Sequence, residues 1–489
     1  EQNIISGNTE NGILIDQQIQ DVVIGGAPAA QNLPAIDDGT TVAGNLIGVN
    51  VDGDEALPNG EAGVRIHEAA SNVIGAAGAR RNVISGNTGN GLEIEGAAST
   101  GNVLEHNYIG PDQDGESAVS GQNRGVMVSD APNNTIGTGN VISGNDAEGV
   151  YITDSGEEGD TSDNVIKGNL IGTDKDGEAR LKNGADGVRI VDASGVTIGG
   201  GDRPTARTGD ANLISGNVGH GVALVGTSGQ ASGGNFVHGN LIGTDETGQS
   251  KLPNEQNGVF IFNQTFNAVG VVPQGDGAGS SGNVISGNDA HGILISGSSH
   301  IDVGDNIIGL SSSGGDAVGN GGAGLRIDEA PDNRVIGANL ISGNAGNGVE
   351  ISGSTSTNNR IQGAGIGVNA AGALARPNGA NGVAILTGAS SNFIGTDGDG
   401  ERDDDEGNLL SGNGLNGVRI ADPGTDSNVV AGNKIGINPD GISALPNQNE
   451  GVLVENGAQF NRIGTDGDGT GDTAERNVVS GNEAGGVEI

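Results

Sequence analysis

The stretch NVISGNDAEGVYI, residues 140–152, holds both phrases from which the chain is built. Its first half returns as NIISGN from Asn3, NVISGN from Asn82 and Asn283, NLISGN from Asn212 and Asn339, NLLSGN from Asn408 and NVVSGN from Asn477. Its second half, a glycine followed by an apolar-x-apolar triplet, returns twice as often, for example as GVRI from Gly63 and Gly187, GVFI from Gly258 and GVEI from Gly486. From Gly12 to Gly486 these glycines mark a repeat of about 34 residues, the scale of one supersecondary unit.

Two further short segments lie between successive GVxI phrases, as in NVIKG from Asn164 followed at once by NLIGT from Asn169. Each alternates apolar with polar over three to five residues, the period of a strand, and no stretch carries apolar residues at helical spacing. Three strands this short cannot bury an apolar face alone; they are stable only when successive turns stack and each strand pairs in parallel with its copies above and below. The expected fold is all-β: a single-stranded right-handed parallel β-helix of about fifteen coils, three strands per coil, near-zero helix, forming one domain over 1–489.

Within GVRI, Val188 and Ile190 then face the core and Arg189 faces solvent, and the glycine is expected to supply the φ freedom of the corner. Gly-Asn pairs such as Gly168-Asn169 are expected to turn the next corner, with Asn in the left-handed region and its amide bonded to its copy one coil away. Long loops alternate in position: 174–186 follows NLIGT, whereas 200–211 precedes NLISGN.

Composition narrows the function classes. Asp plus Glu number 62 against 21 Lys plus Arg, a net charge of −41 that repels phosphate backbones and anionic membranes and attracts cations. Nucleic acid is therefore excluded as a partner, and divalent ions are favoured. Cysteine is absent, which removes disulfides and zinc-thiolate sites. No apolar run reaches the 18 or so residues of a membrane span, so direct membrane insertion is not expected and any export signal lies outside these residues.

The NVISGN and GNLIGTDxxG phrases resemble those of large bacterial secreted proteins described as right-handed parallel β-helix repeat proteins, related in fold to pectate lyases. The resemblance covers essentially the whole chain. It implies this fold and an extracellular or cell-surface location in a bacterium or archaeon; the group mixes enzymes with adhesins and carries no single activity. The chain begins and ends inside coils without the polar capping repeats a solenoid needs, so it is expected to be a fragment of a longer repetitive protein, or to stack end to end into a filament.

Two places carry candidate chemistry. The acidic loops TDGDGERDDDE (396–406) and TDGDGTGD (465–472) alternate Asp with Gly, offering oxygens on a sharply bending backbone, as calcium requires. The candidate metal ligands are Asp397, Asp399, Asp403, Asp405, Asp466 and Asp468; Asp52, Asp54, Asp174, Asp176 and Asp245 look to occupy comparable places. The other reading is solvated turns whose Asp side chains cap their own backbone. The second place follows GVxI, where Asp130, Asp154 and Asp192 stand on three successive coils beside Met127, Tyr151 and Arg189. Stacked carboxylates with a guanidinium would serve a calcium-dependent polysaccharide lyase or hydrolase; each Asp also opens a turn, where Asp is favoured for its own sake.

Tryptophan is absent and aromatics are few, which weighs against a sugar-binding cleft. Phe260, Phe262 and Phe266 cluster before the loop Pro273–Gly282 as a candidate contact patch, and His220 and His291 occupy the same corner of equivalent coils as turn residues. Variation spread evenly along the repeat favours a structural or adhesive scaffold whose partners are cations, further copies of itself or a cell-surface polysaccharide. The enzyme is the alternative.

Overall fold

The computed structural model of the chain describes residues 2–17, 22–25, 39–156, 161–227, 232–270 and 281–489. Most of the loop Pro273–Gly282 lies outside the described residues.

One coil consists of Val150–Thr153 (sheet 1), Val165–Ile166 (sheet 2) and Leu170–Ile171 (sheet 3), and the next begins at Val188–Val191. Pairing is parallel and in register: Val126, Val150 and Val188 align on the inner face, and Met127, Tyr151 and Arg189 on the outer. Val188 and Ile190 are fully buried, as the alternation demands. Each sheet counts fifteen strands along the chain. The fold is a right-handed parallel β-helix.

Two compact units divide it. Unit 1 (Glu1–Gly201, Ala206–Glu246 and Leu252–Glu255) carries seven strands of sheet 1 and eight each of sheets 2 and 3; unit 2 (Asp202–Thr205, Thr247–Lys251 and Gln256–Ile489) carries eight, seven and seven. Helix among the described residues is confined to the turn Asp403–Glu406 and the 3-10 turn Gly78–Arg80, and no helix is long and apolar enough to cross a membrane.

The corners differ from expectation in two ways. The GVxI glycine has no positive φ; at Gly187 a Cβ would stand 2.6 Å from Ile214 Cγ2 and 2.7 Å from the Gly221 carbonyl oxygen. It is glycine because the coils approach too closely for a side chain. Nor is the corner asparagine left-handed: Gly168 takes that conformation (φ 68), and Asn169 turns its side chain into the core.

The buried asparagines form ladders, each Nδ2 donating to the Oδ1 of the next coil. Two run through unit 1, from Asn3 to Asn240 on sheet 3 and from Asn8 to Asn254 at the following corner, the latter with Gln122 as one rung. In unit 2 the corner ladder runs unbroken from Asn288 to Asn482. These amides satisfy the carbonyls that the turns leave out of the sheets.

The long loops alternate as expected. Those after sheet 3 close with a short antiparallel bridge, such as Thr173 to Arg180. There Asp174 Oδ1 accepts the backbone N–H groups of Glu178 (3.0 Å) and Ala179 (3.2 Å). The loops at Thr396 and Thr465 instead follow sheet 2, so Asp174 and Asp397 stand at different corners despite the shared phrase IGTD.

Candidate functional site

Sheet 2 delivers both acidic loops, Thr396 directly after Phe393–Gly395 and Thr465 shortly after Arg462–Ile463. The two close in the same way. The Thr396 hydroxyl donates to Asp403 Oδ1 (3.1 Å) and the Asp397 N–H to Glu406 Oε2 (3.3 Å); the Thr465 hydroxyl donates to Asp472 Oδ1 (3.0 Å) and the Asp466 N–H to Glu475 Oε2 (3.0 Å). Each closure gathers three carboxylates, Asp397 with Asp403 and Glu406, and Asp466 with Asp472 and Glu475, whose oxygens lie within 4.8 Å of one another. Asp403 and Glu475 are buried.

Of the expected ligands, then, Asp397, Asp403 and Asp466 converge. Asp399 and Asp468 cap their own loops, accepting the N–H groups of Glu401 (2.7 Å) and Thr470 (2.6 Å), and Asp405 faces Arg402 at 3.8 Å. Glu406, Asp472 and Glu475 complete the triads and were missed. Their signal was in the sequence: both loops place Asp one and seven residues after the threonine and Glu ten after it.

Arginines modulate the two triads differently. Arg462 lies 3.1 Å from Glu475 Oε1 and 3.7 Å from Asp466 Oδ2. Burial works against the charged form of Glu475, but the Asp466 N–H, the Thr465 hydroxyl and Arg462 outweigh it and hold this carboxyl below its ordinary range. In the first loop Arg360 contacts Asp397 (2.8 Å) instead, as an ion pair rather than an aligned hydrogen bond. Burial and the neighbouring Asp397 charge push Glu406 up. Three carboxylates beside a threonine hydroxyl make an all-oxygen set that can hold a hard metal ion.

The strand-end carboxylates stack as expected, and each is occupied. Asp130 Oδ1 accepts the Ser155 N–H (2.8 Å), Asp154 Oδ1 the Gly156 N–H (2.8 Å) and Asp192 Oδ1 the Thr227 N–H (2.7 Å). Asp130 and Asp192 are themselves left-handed, with φ of 52° and 57°. Arg189 pairs with Asp186 (2.9 Å), and Tyr151 lies 4.2 Å beneath the Arg124 guanidinium. The His220 backbone N–H donates to Asp186 Oδ1 (2.7 Å), while the His291 ring Nδ1 accepts the Ala323 N–H (2.9 Å), so both sit within corners.

No protein-family model matches the chain, and no curated protein matches it. Among solved structures it is similar to the periplasmic alginate epimerase AlgG, at 13% identity over 87% of this chain and 77% of that one, with a TM-score of 0.35. It is also similar to the A-module of the Azotobacter vinelandii mannuronan C-5 epimerase AlgE4, at 15% identity over 91% of each chain and a TM-score of 0.34. A third is the catalytic domain of a GH87 alpha-1,3-glucanase, at 15% identity over 91% of this chain and 64% of that one, with a TM-score of 0.27. The similarity is one of fold.

Proposed function

We propose that the chain is a structural and adhesive scaffold segment of an extracellular or cell-surface protein, whose paired acidic loops hold calcium. The observation that carries the scaffold reading is the repetition of one coil plan throughout both units, with aligned strands and buried amide ladders, while length and charge vary in the loops. Such a framework tolerates loop change without loss of its core. End-to-end stacking of chains belongs to the same reading, and electron microscopy of the purified protein tests it: monodisperse particles at every concentration would rule filaments out.

For calcium, the expected affinity is that of extracellular modules, with Kd about 10⁻⁴ M or weaker. At a hundredfold excess over Kd each site would add about 2.7 kcal/mol of stability. Isothermal titration should find two sites, one lost in Asp397→Asn with Glu406→Gln and the other in Asp466→Asn with Glu475→Gln. Absence of calcium heat, with a melting temperature indifferent to EDTA, would remove the metal from the proposal.

The in-register row of Met127, Tyr151 and Arg189 beside Asp130, Asp154 and Asp192 supports a second reading, a calcium-dependent polysaccharide lyase or hydrolase. Turnover of acidic polysaccharides that disappears in Arg189→Ala would establish it over the scaffold. Silence across a wide panel would retire it.

A further inference from the structure

We propose that unit 2 binds a neutral saccharide chain in a cleft on the outer face of sheet 2, walled by Arg334, Arg360 and Gln362 next to a break in the repeat. In unit 1 the segment NVIKGNLIG (164–172) shows the usual pattern; here the chain reads NRIQGAGIG (359–367). Ala364 stands where the sheet-3 ladder requires asparagine, and Gly365 pairs between Leu340 and Leu409 where its neighbours carry large side chains. The ladder stops at Asn339 and resumes at Asn408, whose Oδ1 accepts the Ala364 N–H (3.0 Å).

Just before the gap, Gln362 and Gly363 line a polar cleft of about 520 Å³, with Arg334, Arg360, Asp397 and Glu406 also in its wall. Arg334 and Arg360 also line an adjoining cleft of about 500 Å³, together with Phe266, His300 and Asn358. Arg334 donates to Asp302 from Nε (2.8 Å) and Nη2 (2.7 Å), and Arg360 meets Asp397, so the wall presents planar donors and acceptors side by side. Gln362 is 7% exposed, and its amide nitrogen has no hydrogen-bond partner. A buried donor left empty costs stability unless an incoming acceptor fills it. At the far end Phe266 is 65% exposed, with its ring 4.8 Å from that of His300.

A sugar matches this set. Its hydroxyls both donate and accept, as paired guanidinium and carboxylate groups require, and its C–H face lies on an aromatic ring. A phosphate or polyanion would instead meet Asp302, Asp397 and Glu406 on a chain of net charge −41. An apolar ligand would strip water from two guanidiniums and leave Gln362 unfilled.

The test is surface plasmon resonance of the full chain over immobilised neutral and uronic-acid oligosaccharides. Retention on at least one neutral oligosaccharide is expected, about tenfold weaker in Phe266→Ala and in Gln362→Leu, the loss of one stacked ring or one buried hydrogen bond. Phe460→Ala is the control: Phe460 is equally left-handed and 80% exposed but lines neither cleft, so binding should be unchanged. Repeating the measurement in EDTA separates this site from the calcium reading, since the saccharide should still bind. No binding to neutral sugars, binding to uronates alone, or wild-type affinity in both cleft variants would overturn the proposal.

Discussion

A ladder asparagine such as Asn344 serves three coils at once. Its Nδ2 donates to the Ile308 carbonyl (3.1 Å) and to Asn378 Oδ1 (3.0 Å), while its Oδ1 accepts the Asn320 N–H (3.3 Å) and Nδ2 (2.9 Å). Asn344→Ala would orphan donors and an acceptor in a fully buried place, at about 3 kcal/mol, read as a lower urea midpoint. Ala364→Asn should do the reverse and add about 1 kcal/mol by restoring the missing rung. His291 makes a different residue-scale prediction. Burial lowers its pKa below the ordinary histidine value, and its neutral Nδ1 accepts the Ala323 N–H, a bond the protonated ring cannot keep. The unfolded chain therefore takes up the proton first: stability is fully present above pH about 6.5 and is lost as pH falls through the lowered folded value. Melting curves between pH 7 and 5 should fall in the wild type and fall less in His291→Gln, with the remainder due to His220 and His238, whose pKa values burial lowers in the same way. The columns of asparagine were legible because the residue recurs at one place in each coil. Its backbone conformation was not, because a Gly-Asn pair does not say which member carries the positive φ.

At the scale of elements, strands were legible and loop closure was not. Val188–Val191 is fixed by period-two alternation and by its register with its copies, both written in the repeat. The phrase IGTD, by contrast, occurs after sheet 3 at Thr173 and after sheet 2 at Thr396, and only the residues beyond it decide: one loop returns as the bridge to Arg180, the other folds Asp403 and Glu406 back onto Asp397. Carboxylates nine residues apart meet through a turn that no strand or helix period describes, so the alternation of Asp with Gly does not single out Glu406 or Glu475 as ligands. The second loop yields a direct test. Glu475 is 1% exposed and held ionised by the Asp466 N–H and Arg462. Its folded pKa lies below the unfolded one, so its contribution is present above pH about 4.3 and is lost as pH falls through the folded value. Glu475→Gln should cost about 2 kcal/mol at neutral pH, moderated by the partial exposure of Arg462, and should shrink the acid-side loss of stability. A variant that melts like the wild type at pH 7 would show that the ion pair contributes little.

For the molecule as a whole, the governing quantity is charge. Carboxylates outnumber Lys and Arg 62 to 21, so pairs such as Arg419 with Glu455 (2.7 Å) or Arg65 with Glu95 (2.6 Å) absorb the cations and leave most acids facing like charges. Stacking aggravates this, because equivalent outward positions on adjacent coils lie only about 4.8 Å apart, and unfolding relieves the repulsion by spreading the charges out. Added salt shortens the Debye length from about 30 Å at 0.01 M to about 3 Å at 1 M, so screening should favour the folded coils. Calorimetric melting should therefore rise by several degrees between 0.01 and 1 M sodium chloride, and equally in potassium chloride, because the effect depends on ionic strength and not on a fitted site. Calcium should act differently, saturating at millimolar concentration at constant ionic strength and losing its effect when both triads are neutralised. A melting temperature flat in sodium chloride would mean that the negative charge is already balanced within the fold. A rise with salt that persists in the double-triad variant would locate the repulsion along the coils at large, outside the two loops.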